Sequence, residues 1–348
     1  MASVDVTVRG AGIFGLSCAW ACLKRGARVR VVDPGGVAAG ASGGIVGALA
    51  PHVPENWNDK KQFQLESLLM AEACWAEVAA ISGRDPGYAR SGRLQPLADA
   101  RAVELAHARE DSAARLWQGA ARWQVIAATG APWEPQTPSG WLVEDSLTGR
   151  IHPRRACEAL AGAIRAAGAE ILTEAPDEGA EEGAVLWATG AAGLAEMSGQ
   201  AGRMVGTGIK GQAALLRHAA HNLPQIFAGG VHIVPHADGT VAIGSTSERD
   251  FDGLETDAQL DEVIAAARAA LPALLGAPVI QRWAGLRPRA KSRAPMLGSW
   301  PARPGHFIAN GGFKIGFGMA PKVGEVMAEL VLEGRDAIPE GFRAAALF

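Results

Sequence analysis

Three glycines near the start of the chain have the spacing of a phosphate-binding turn. Gly10, Gly12 and Gly15 follow the pattern Gly-x-Gly-x-x-Gly. The first permits a tight turn, the second lets the backbone approach a pyrophosphate, and the third lets a helix pack closely on a strand. Alternation over Val4 to Val8 predicts the strand before the turn, and the apolar period of Ile13 to Lys24 predicts the helix after it. The first amide groups of that helix would face the phosphate anion.

An acidic residue at the end of the next predicted strand completes the pattern. Val29 to Val32 predicts this strand, and Asp33 follows it, 18 residues after Gly15. A carboxylate in this position binds the ribose hydroxyls of a dinucleotide. Together these features predict a dinucleotide site, and the motif by itself leaves both NAD and FAD open.

Composition narrows the class of protein. The chain has 348 residues, of which 48% are hydrophobic and 20% charged, which indicates one large or two interleaved globular domains. No uncharged apolar stretch reaches about 18 residues, so no membrane span is expected. The net charge of -3 gives no reason to expect nucleic acid as a partner. The four cysteines lack metal-ligand spacing, and with no signal peptide at the start they predict reduced thiols and a cytoplasmic location.

The remaining pattern predicts the elements that must hold this site in place. A helical pattern runs from about Lys60 to Ile81. Asp238-Gly239 predicts a hairpin between strands at Val231–Pro235 and Thr240–Ile243. The stretch from about Arg84 to Trp141 has mixed periodicity and predicts no particular element. Further expected elements are a helix opening at His152-Pro153 and closing at Gly168, short strands near Glu170–Thr173 and Ala184–Trp187, a helix with a capping box at Thr256–Gln259, strands at Gln281–Leu286 and His306–Ala309, and a last helix from Met319 or Pro321 to Gly334.

Further blocks of sequence follow the glycine motif in a recognisable order. They are Ala41-Ser42-Gly43-Gly44, Val185-Leu186-Trp187-Ala188-Thr189-Gly190, Ile209-Lys210-Gly211-Gln212, Ile233-Val234-Pro235 with Ile243-Gly244-Ser245-Thr246, Trp283-Ala284-Gly285-Leu286-Arg287-Pro288, and Gly311-Gly312-Phe313-Lys314-Ile315-Gly316. Their order and spacing, over roughly residues 4 to 334, resemble those of the D-amino-acid oxidase family of amine-oxidising flavoproteins. Glycine oxidase is the nearest member, and the block that ends in Arg287-Pro288 is the most specific.

The resemblance implies an α/β fold in two parts. A Rossmann-like FAD-binding domain of the glutathione-reductase type would be interleaved with an α+β substrate domain on a mixed or antiparallel sheet. The FAD-binding domain would come from residues 1–83, 148–204 and 296–348, and the substrate domain from 84–147 and 205–295. FAD would be bound non-covalently, because no cysteine lies where a covalent link would form. The expected FAD-binding residues are Gly10, Gly12, Ile13, Phe14, Gly15, Asp33, Ser42, Gly43, Gly44, Ala188, Thr189, Gly190, Arg287, Gly312, Phe313, Lys314, Ile315 and Gly316.

The resemblance also implies a reaction. A small amino acid or secondary amine would pass a hydride to flavin N5 and leave an imine that water hydrolyses, with oxygen or another acceptor reoxidising the flavin. Arg287 would hold the substrate carboxylate through two parallel hydrogen bonds. Lys314, near the start of the last helix, would touch flavin or substrate. His232 and His52 are the remaining catalytic candidates.

The chain departs from the family's pattern at the substrate. His232 stands where the glycine oxidase pattern has a tyrosine, and Lys314 stands where it has an arginine. The chain between Glu170 and Val185 is short and carries only a turn rich in Glu, Gly, Ala and Pro. A run of cations adjoins the expected clamp and favours a substrate that is acidic or has a second anionic group. These cations are Arg287, Arg289, Lys291 and Arg293.

Three other functions are compatible with the sequence. The first is an NAD-dependent dehydrogenase with the same opening fold. The second is a tRNA-modifying flavoprotein, because Gly47–His52 resembles the oxidase half of the bifunctional enzyme that trims a carboxymethyl group from a wobble uridine. The third is a non-catalytic flavin subunit of a larger dehydrogenase. A homo-oligomer is compatible with each of them.

Overall fold

Two large sheets organise the chain. The computed structural model describes residues 4–174, 183–301 and 303–348. The strands are β1 (Val6–Arg9), β2 (Val29–Val32), β3 (Ala48–Leu49), β4 (Arg93–Pro96), β5 (Trp123–Ala127), β6 (Trp141–Asp145), β7 (Gly149–Arg150), β8 (Glu170–Leu172), β9 (Ala184–Trp187), β10 (Gly206–Arg217), β11 (Gln225–Ala228), β12 (Val231–Pro235), β13 (Thr240–Gly244), β14 (Val279–Ala290), β15 (Met296–Ser299) and β16 (His306–Asn310). The helices are α1 (Ile13–Lys24), α2 (Asp59–Ser82), α3 (Ala100–Trp117), α4 (Pro153–Ala166), α5 (Gly190–Ala201), α6 (Ala258–Ala270) and α7 (Gly316–Glu333).

The first sheet holds the glycine turn. Its six strands lie in the order β15-β16-β9-β1-β2-β8, and they run parallel except for the antiparallel pair β15 and β16. Because β1 and β9 are neighbours and parallel, their carboxyl ends meet at one edge, where β1 leads into α1 and β9 into α5. α1 packs against α7 and α4, and Leu16, Cys18 and Cys22 are fully buried there.

The second sheet faces this edge. Its eight strands lie in the order β14-β10-β13-β12-β11-β4-β6-β5, and all neighbouring pairs are antiparallel except β11 with β4. Successive strand residues point to opposite faces, and α6 covers one face through Leu260 and Ile264, which pack in the same cluster as Ile233 and Ile243. On the other face, residues of the 45–48 segment pack against Ala213, Val234 and Ala242.

Several predicted elements are confirmed and several boundaries are wrong; the strand expected at Gln281–Leu286 extends over Val279–Ala290. The hairpin forms as predicted, with Gly239 at φ +81° in its turn. α7 starts at Gly316 rather than at Met319 or Pro321, because Pro321 lies inside the helix instead of opening it. α6 is capped by Asp257, whose carboxylate accepts from the amide of Gln259, so the expected start at Thr256 is off by one residue.

The predicted division into two domains stays a prediction, although the strands follow it. All strands of the six-stranded sheet lie within 1–83, 148–204 and 296–348, and all strands of the eight-stranded sheet lie within 84–147 and 205–295. The short turn expected between Glu170 and Val185 falls mostly on residues 175–182, outside the described residues. None of the described helices has the length and apolar character needed to cross a membrane. The four cysteines form no disulfide.

Candidate active site

A cavity of about 760 Å³ lies where the two sheets meet. Its walls come from the β1–α1 turn, the segment 39–48, the β9–α5 junction, β14 and the segment 309–317. The volume falls in the range of about 300–1,000 Å³ that is usual for ligand pockets. Distant parts of the chain therefore build one site.

The glycine turn forms one end of the cavity, and its contacts leave no room for side chains. Gly10 has φ +109°, and a Cβ on it would lie 2.3 Å from the carbonyl oxygen of Ala188. A Cβ on Gly15 would lie 1.9 Å from the carbonyl oxygen of Gly10. Both glycines are therefore required by close backbone packing between β1, β9 and α1, as the spacing predicts.

Polar groups surround the start of α1. The Ile13 amide donates to Ser42 Oγ at 3.0 Å. Asp33 accepts from the amide of Ala11 through Oδ2 at 2.7 Å, and from the amide of Gly35 through Oδ1 at 2.9 Å. α1 has no acidic residue in its first turn, so no side chain there neutralises the positive end of the helix dipole. This end can therefore attract an anionic ligand. Ser42 and Asp33 are thus held beside the place that a phosphate and a ribose would take.

A buried hydroxyl supports the fit of a cofactor at this end. Thr189 lines the cavity. Its Oγ1 is buried and has no hydrogen-bond partner within the described part of the chain. Such a group costs about 1–3 kcal/mol when it stays unpaired. Asn310 Nδ2 donates to the Gly190 carbonyl at 3.0 Å and so ties the β9–α5 junction to β16. The donor set fits a phosphate-bearing ligand with hydroxyl groups.

Most of the expected cofactor residues line this cavity. Those that do are Gly10, Gly12, Ile13, Phe14, Asp33, Ser42, Gly44, Ala188, Thr189, Gly190, Arg287, Gly312, Phe313, Lys314 and Gly316. Gly15 packs behind the turn, as described above. Gly43 and Ile315 also lie outside the lining that the described residues form. Gly43 is buried, and its carbonyl accepts from Arg154 Nη2 at 3.4 Å; Ile315 is the residue before α7. The individual roles stay predictions.

Sequence reasoning assigned no role to several large residues of the lining, among them Trp283, Trp187 and Arg9. Trp283 lies on β14 four residues before Arg287, and the strand period of two places both side chains on one face. That period was a signal that could have found Trp283. At the opposite end Arg9 lies over the ring of Trp187, with 4.9 Å between its guanidinium carbon and the ring centroid. Arg9 belongs to none of the quoted motifs, and Trp187 lies in the Val185–Gly190 block without an assigned role.

Arg287 reaches the cavity through a gap in the neighbouring strand. A Cβ on Gly211 of β10 would lie 1.6 Å from Arg287 Nη1, so the missing side chain of this glycine gives the guanidinium its place. Arg287 Nη1 donates to the Thr246 carbonyl at 3.1 Å. Burial lowers the pKa of Arg287 to about 10, and the charge of Glu248 acts in the opposite direction. The group therefore stays cationic at neutral pH, and most of its N–H donors stay free for a ligand.

Lys314 lines the same cavity beside Arg287. Its segment is tied to β14, since the Phe313 amide donates to the Pro288 carbonyl at 2.9 Å and Gly312 forms a bridge with Arg289. Phe313 has φ +46°, a left-handed conformation that non-glycine residues rarely adopt and that is common at functional sites. Although Lys314 is exposed overall, partial desolvation of its ammonium group and then the charge of Arg287 lower its pKa.

His232 lies on the cavity side of the eight-stranded sheet, although it is outside the lining itself. Directly paired residues share a face, and the pairs Trp283–Ala213, Ala213–Gly244 and Gly244–His232 form one row across β14, β10, β13 and β12. Burial, together with the charges of Arg93 and Lys314, lowers the pKa of His232 to about 4. His232 Nδ1 is buried without a partner in the described residues.

His52 does not join this group. Its Nδ1 forms a short hydrogen bond with Gln64 Oε1, and its amide donates to the same oxygen at 2.9 Å. Among the described residues it lies outside the cavity lining. The structure thus brings Arg287, Lys314 and His232 together and gives His52 a local partner on α2. A catalytic role for His52 stays a prediction.

The glycine turn, the acid after β2 and the unpaired hydroxyl define a dinucleotide-binding enzyme. The profile of the FAD-dependent oxidoreductase family, DAO, matches residues 5–330. The chain therefore belongs to the DAO family and is an FAD-dependent oxidoreductase. This result confirms FAD as the cofactor and removes the NAD alternative.

Relatives of known function resemble the chain over most of its length. Glycine oxidase of Bacillus licheniformis is 26% identical over 94% of this chain and 93% of its own length. The crystal structure of glycine oxidase from Geobacillus kaustophilus has a TM-score of 0.84 at 22% identity and covers 98% of both chains. Iminodiacetate oxidase from Chelativorans sp. BNC1 has a TM-score of 0.79 at 22% identity, over 97% of this chain and 98% of its own. The structural likenesses confirm the predicted fold class.

Proposed function

We propose that this chain oxidises the carbon–nitrogen bond of a small amino acid or secondary amine. The observation that carries the proposal is the Arg287 guanidinium, which lines the cavity from the substrate-facing sheet with most of its donors free. A guanidinium in this state suits a planar carboxylate. Membership of the DAO family and similarity to glycine oxidases support an amine as the reacting group.

The glycine-turn end of the cavity would hold FAD. The first amide groups of α1 would bind its pyrophosphate, Asp33 a ribose, and Ser42 and Thr189 further polar groups of the cofactor. When bound, FAD supplies the acceptor for a hydride that leaves the α-carbon, while the nitrogen lone pair closes a carbon–nitrogen double bond that water later hydrolyses.

Arg287 orients the substrate for this step. Its Nη1 is anchored on the Thr246 carbonyl, and Gly211 leaves it no competing side chain, so the guanidinium is already in place before substrate binds. A pre-placed clamp removes much of the entropy that two freely moving reactants would lose. Because Arg287 lies on β14, its N–H groups would hold the substrate carboxylate at a fixed distance from the sheet.

The sheet supplies a floor for the rest of the substrate. Ala213 and Gly244 leave space in the row between Trp283 and His232, and the distance across these four strands is about 14 Å at the usual strand spacing. His232 is neutral at physiological pH because its pKa is lowered to about 4. We infer that it acts as a neutral group just behind the cavity lining, at the place of the tyrosine of the glycine oxidase pattern.

Reduction of the flavin without oxygen tests the proposal. The purified yellow protein would be mixed with glycine, sarcosine, D-amino acids, L-proline and acidic amino acids, and the visible absorbance of FAD would be followed. We expect at least one of these amines to bleach the flavin in a single turnover. A yellow protein that none of them bleaches would contradict the proposal and favour a flavin subunit that needs a partner, or a different substrate such as a modified nucleoside.

A further inference from the structure

Arg287 and Lys314 both line the cavity, and neither has an acidic partner there. Within the described part of the chain, no carboxylate lies within ion-pair distance of Arg287, Lys314 or Arg289. Glu248, whose charge raises the pKa of Arg287, is already 3.4 Å from Lys210 Nζ. Two cations thus face one space, with Glu248 compensating Arg287 only in part, and an anion between the two cations would stabilise both.

Backbone contacts fix the position of Lys314 in the cavity wall. Its neighbour Phe313 holds a left-handed backbone conformation, and the segment is hydrogen-bonded to β14 next to Arg287. Lys314 Nζ lies 5.8 Å from the Phe313 ring centroid, and the guanidinium carbon of Arg289 lies 5.5 Å from the same centroid. Arg289 therefore adds positive charge behind the ring and favours an anion at Lys314 rather than a neutral group.

We propose, on the basis of the proposed function, that the site prefers amines with two carboxylates, the first held by Arg287 and the second by Lys314. His232 adds no charge near neutral pH, so these two cavity-lining cations match the two charges of such a substrate. The reacting carbon would lie between the carboxylate on Arg287 and the amine. The oxidation itself is unchanged, because the second carboxylate only binds.

Matched ligands that differ in one charge test this preference. Iminodiacetate and N-(carbamoylmethyl)glycine have nearly the same shape, but the second has an amide in place of one carboxylate. We expect kcat/KM for iminodiacetate to be at least about tenfold higher, the usual effect of one charge-assisted hydrogen bond. Lys314→Met should abolish this ratio and Lys314→Arg should restore it. Lys291→Met, which removes an exposed cation of the same run, should leave the ratio as in the wild type.

Binding without turnover separates this inference from the proposed function. Malonate and its monoamide carry no amine, so their dissociation constants, read from the flavin spectrum, do not depend on catalysis. Tighter binding of malonate that Lys314→Met removes would support the second carboxylate site, even if no amine reduces the flavin. Equal binding of the two ligands to the wild type would overturn the inference. So would a Lys314→Met protein with an unchanged malonate preference and an altered flavin reduction potential, since Lys314 would then serve the cofactor.

Discussion

The two ends of the cavity are built in different ways. The cofactor end consists mainly of backbone, with glycines whose side chains would collide with carbonyl groups 2.3 Å and 1.9 Å away. The proposed substrate end consists of charged and aromatic side chains on β14 and the segment before α7, with His232 of β12 just behind the lining. At the first end the residue type is dictated by the space that the fold leaves. At the second end the same backbone accepts many side chains.

This difference explains what a shared fold carries over from one protein to another. FAD binding follows from the glycine turn and from its place between β1 and α1, so it comes with the family. We propose that the substrate depends on residues such as Lys314 and His232, at which the resemblance to the glycine oxidase pattern ends. Fold similarity at 22% identity is therefore a good guide to the first end and a poor guide to the second.

The largest effect should come from adding a side chain to the glycine turn at the cofactor end. In Gly10→Ala the new Cβ meets the Ala188 carbonyl, and the residue keeps an unfavourable positive φ. The combined strain of about 2–5 kcal/mol destabilises the folded turn whose amide groups would bind FAD, so we expect a marked loss of bound FAD. The ratio of flavin to protein absorbance measures the loss. Gly199→Ala, whose Cβ would meet nothing within 4 Å, is the control; a fully yellow Gly10→Ala protein would contradict the comparison.

A smaller and more selective effect should follow at the substrate end. In Gly211→Ala the new Cβ would displace the Arg287 guanidinium, which can swing away because it is the end of a flexible side chain. FAD content should stay normal, whereas kcat/KM should fall by about 10- to 100-fold, as expected for a misplaced clamp. Gly208→Ala on the same strand, where a Cβ comes no closer than 3.3 Å to its neighbours, serves as the control. Equal activity of the two variants would show that Arg287 does not clamp the substrate.

The smallest effect concerns His236, which joins the hairpin of β12 and β13 to the segment that contains Ile45. His236 on the hairpin interacts through Nε2 with the Ile45 carbonyl at 2.9 Å, and His152, Arg150 and Asp238 act on its ring. Burial lowers its pKa to about 4. The unfolded chain, with an ordinary histidine pKa, takes up a proton first, so stability falls as pH drops from about 6.5 toward 4.

Replacement of His236 tests this link. Between about pH 7 and pH 5 the loss of unfolding free energy should be smaller by about 2 kcal/mol in His236→Gln than in the wild type. Urea unfolding at the two pH values measures it. The exposed His221, changed to Gln, is the control. An identical pH dependence in His236→Gln and in the wild type would mean that His236 is not held neutral by the fold.

The sequence predicts the cofactor end well for a physical reason. Local rules determine a βαβ unit, so the strand, glycine turn, helix and acid could all be located from spacing. The hairpin followed in the same way from Asp238-Gly239. The start of α7 was misjudged because a proline usually opens a helix, whereas Pro321 lies within this one, after a first turn that contains two glycines.

The substrate end could be predicted only through individual residues. Arg287 was predicted from its motif, but the gap at Gly211 depends on the pairing of β10 with β14, which joins residues far apart in the chain. The region from Arg84 to Trp141 gave no clear pattern because α3 buries only Ala106, Ala113 and Trp117, too few residues for a strong apolar period. The row from Trp283 to His232 exists only once four strands are in register.

Arg287 is the residue on which the proposed binding of the substrate depends most, and a pair of arginine variants tests its role directly. Arg282 lies on the same strand but is exposed and pairs with Asp261, so Arg282→Met is matched to Arg287→Met. Both proteins would be titrated, without oxygen, with the amine that best reduces the wild type. We expect Arg287→Met to retain FAD and to bind that amine about 30-fold or more weakly, as for loss of a buried charge-assisted pair, while Arg282→Met behaves as the wild type. Equal binding by both variants would contradict a carboxylate clamp at Arg287.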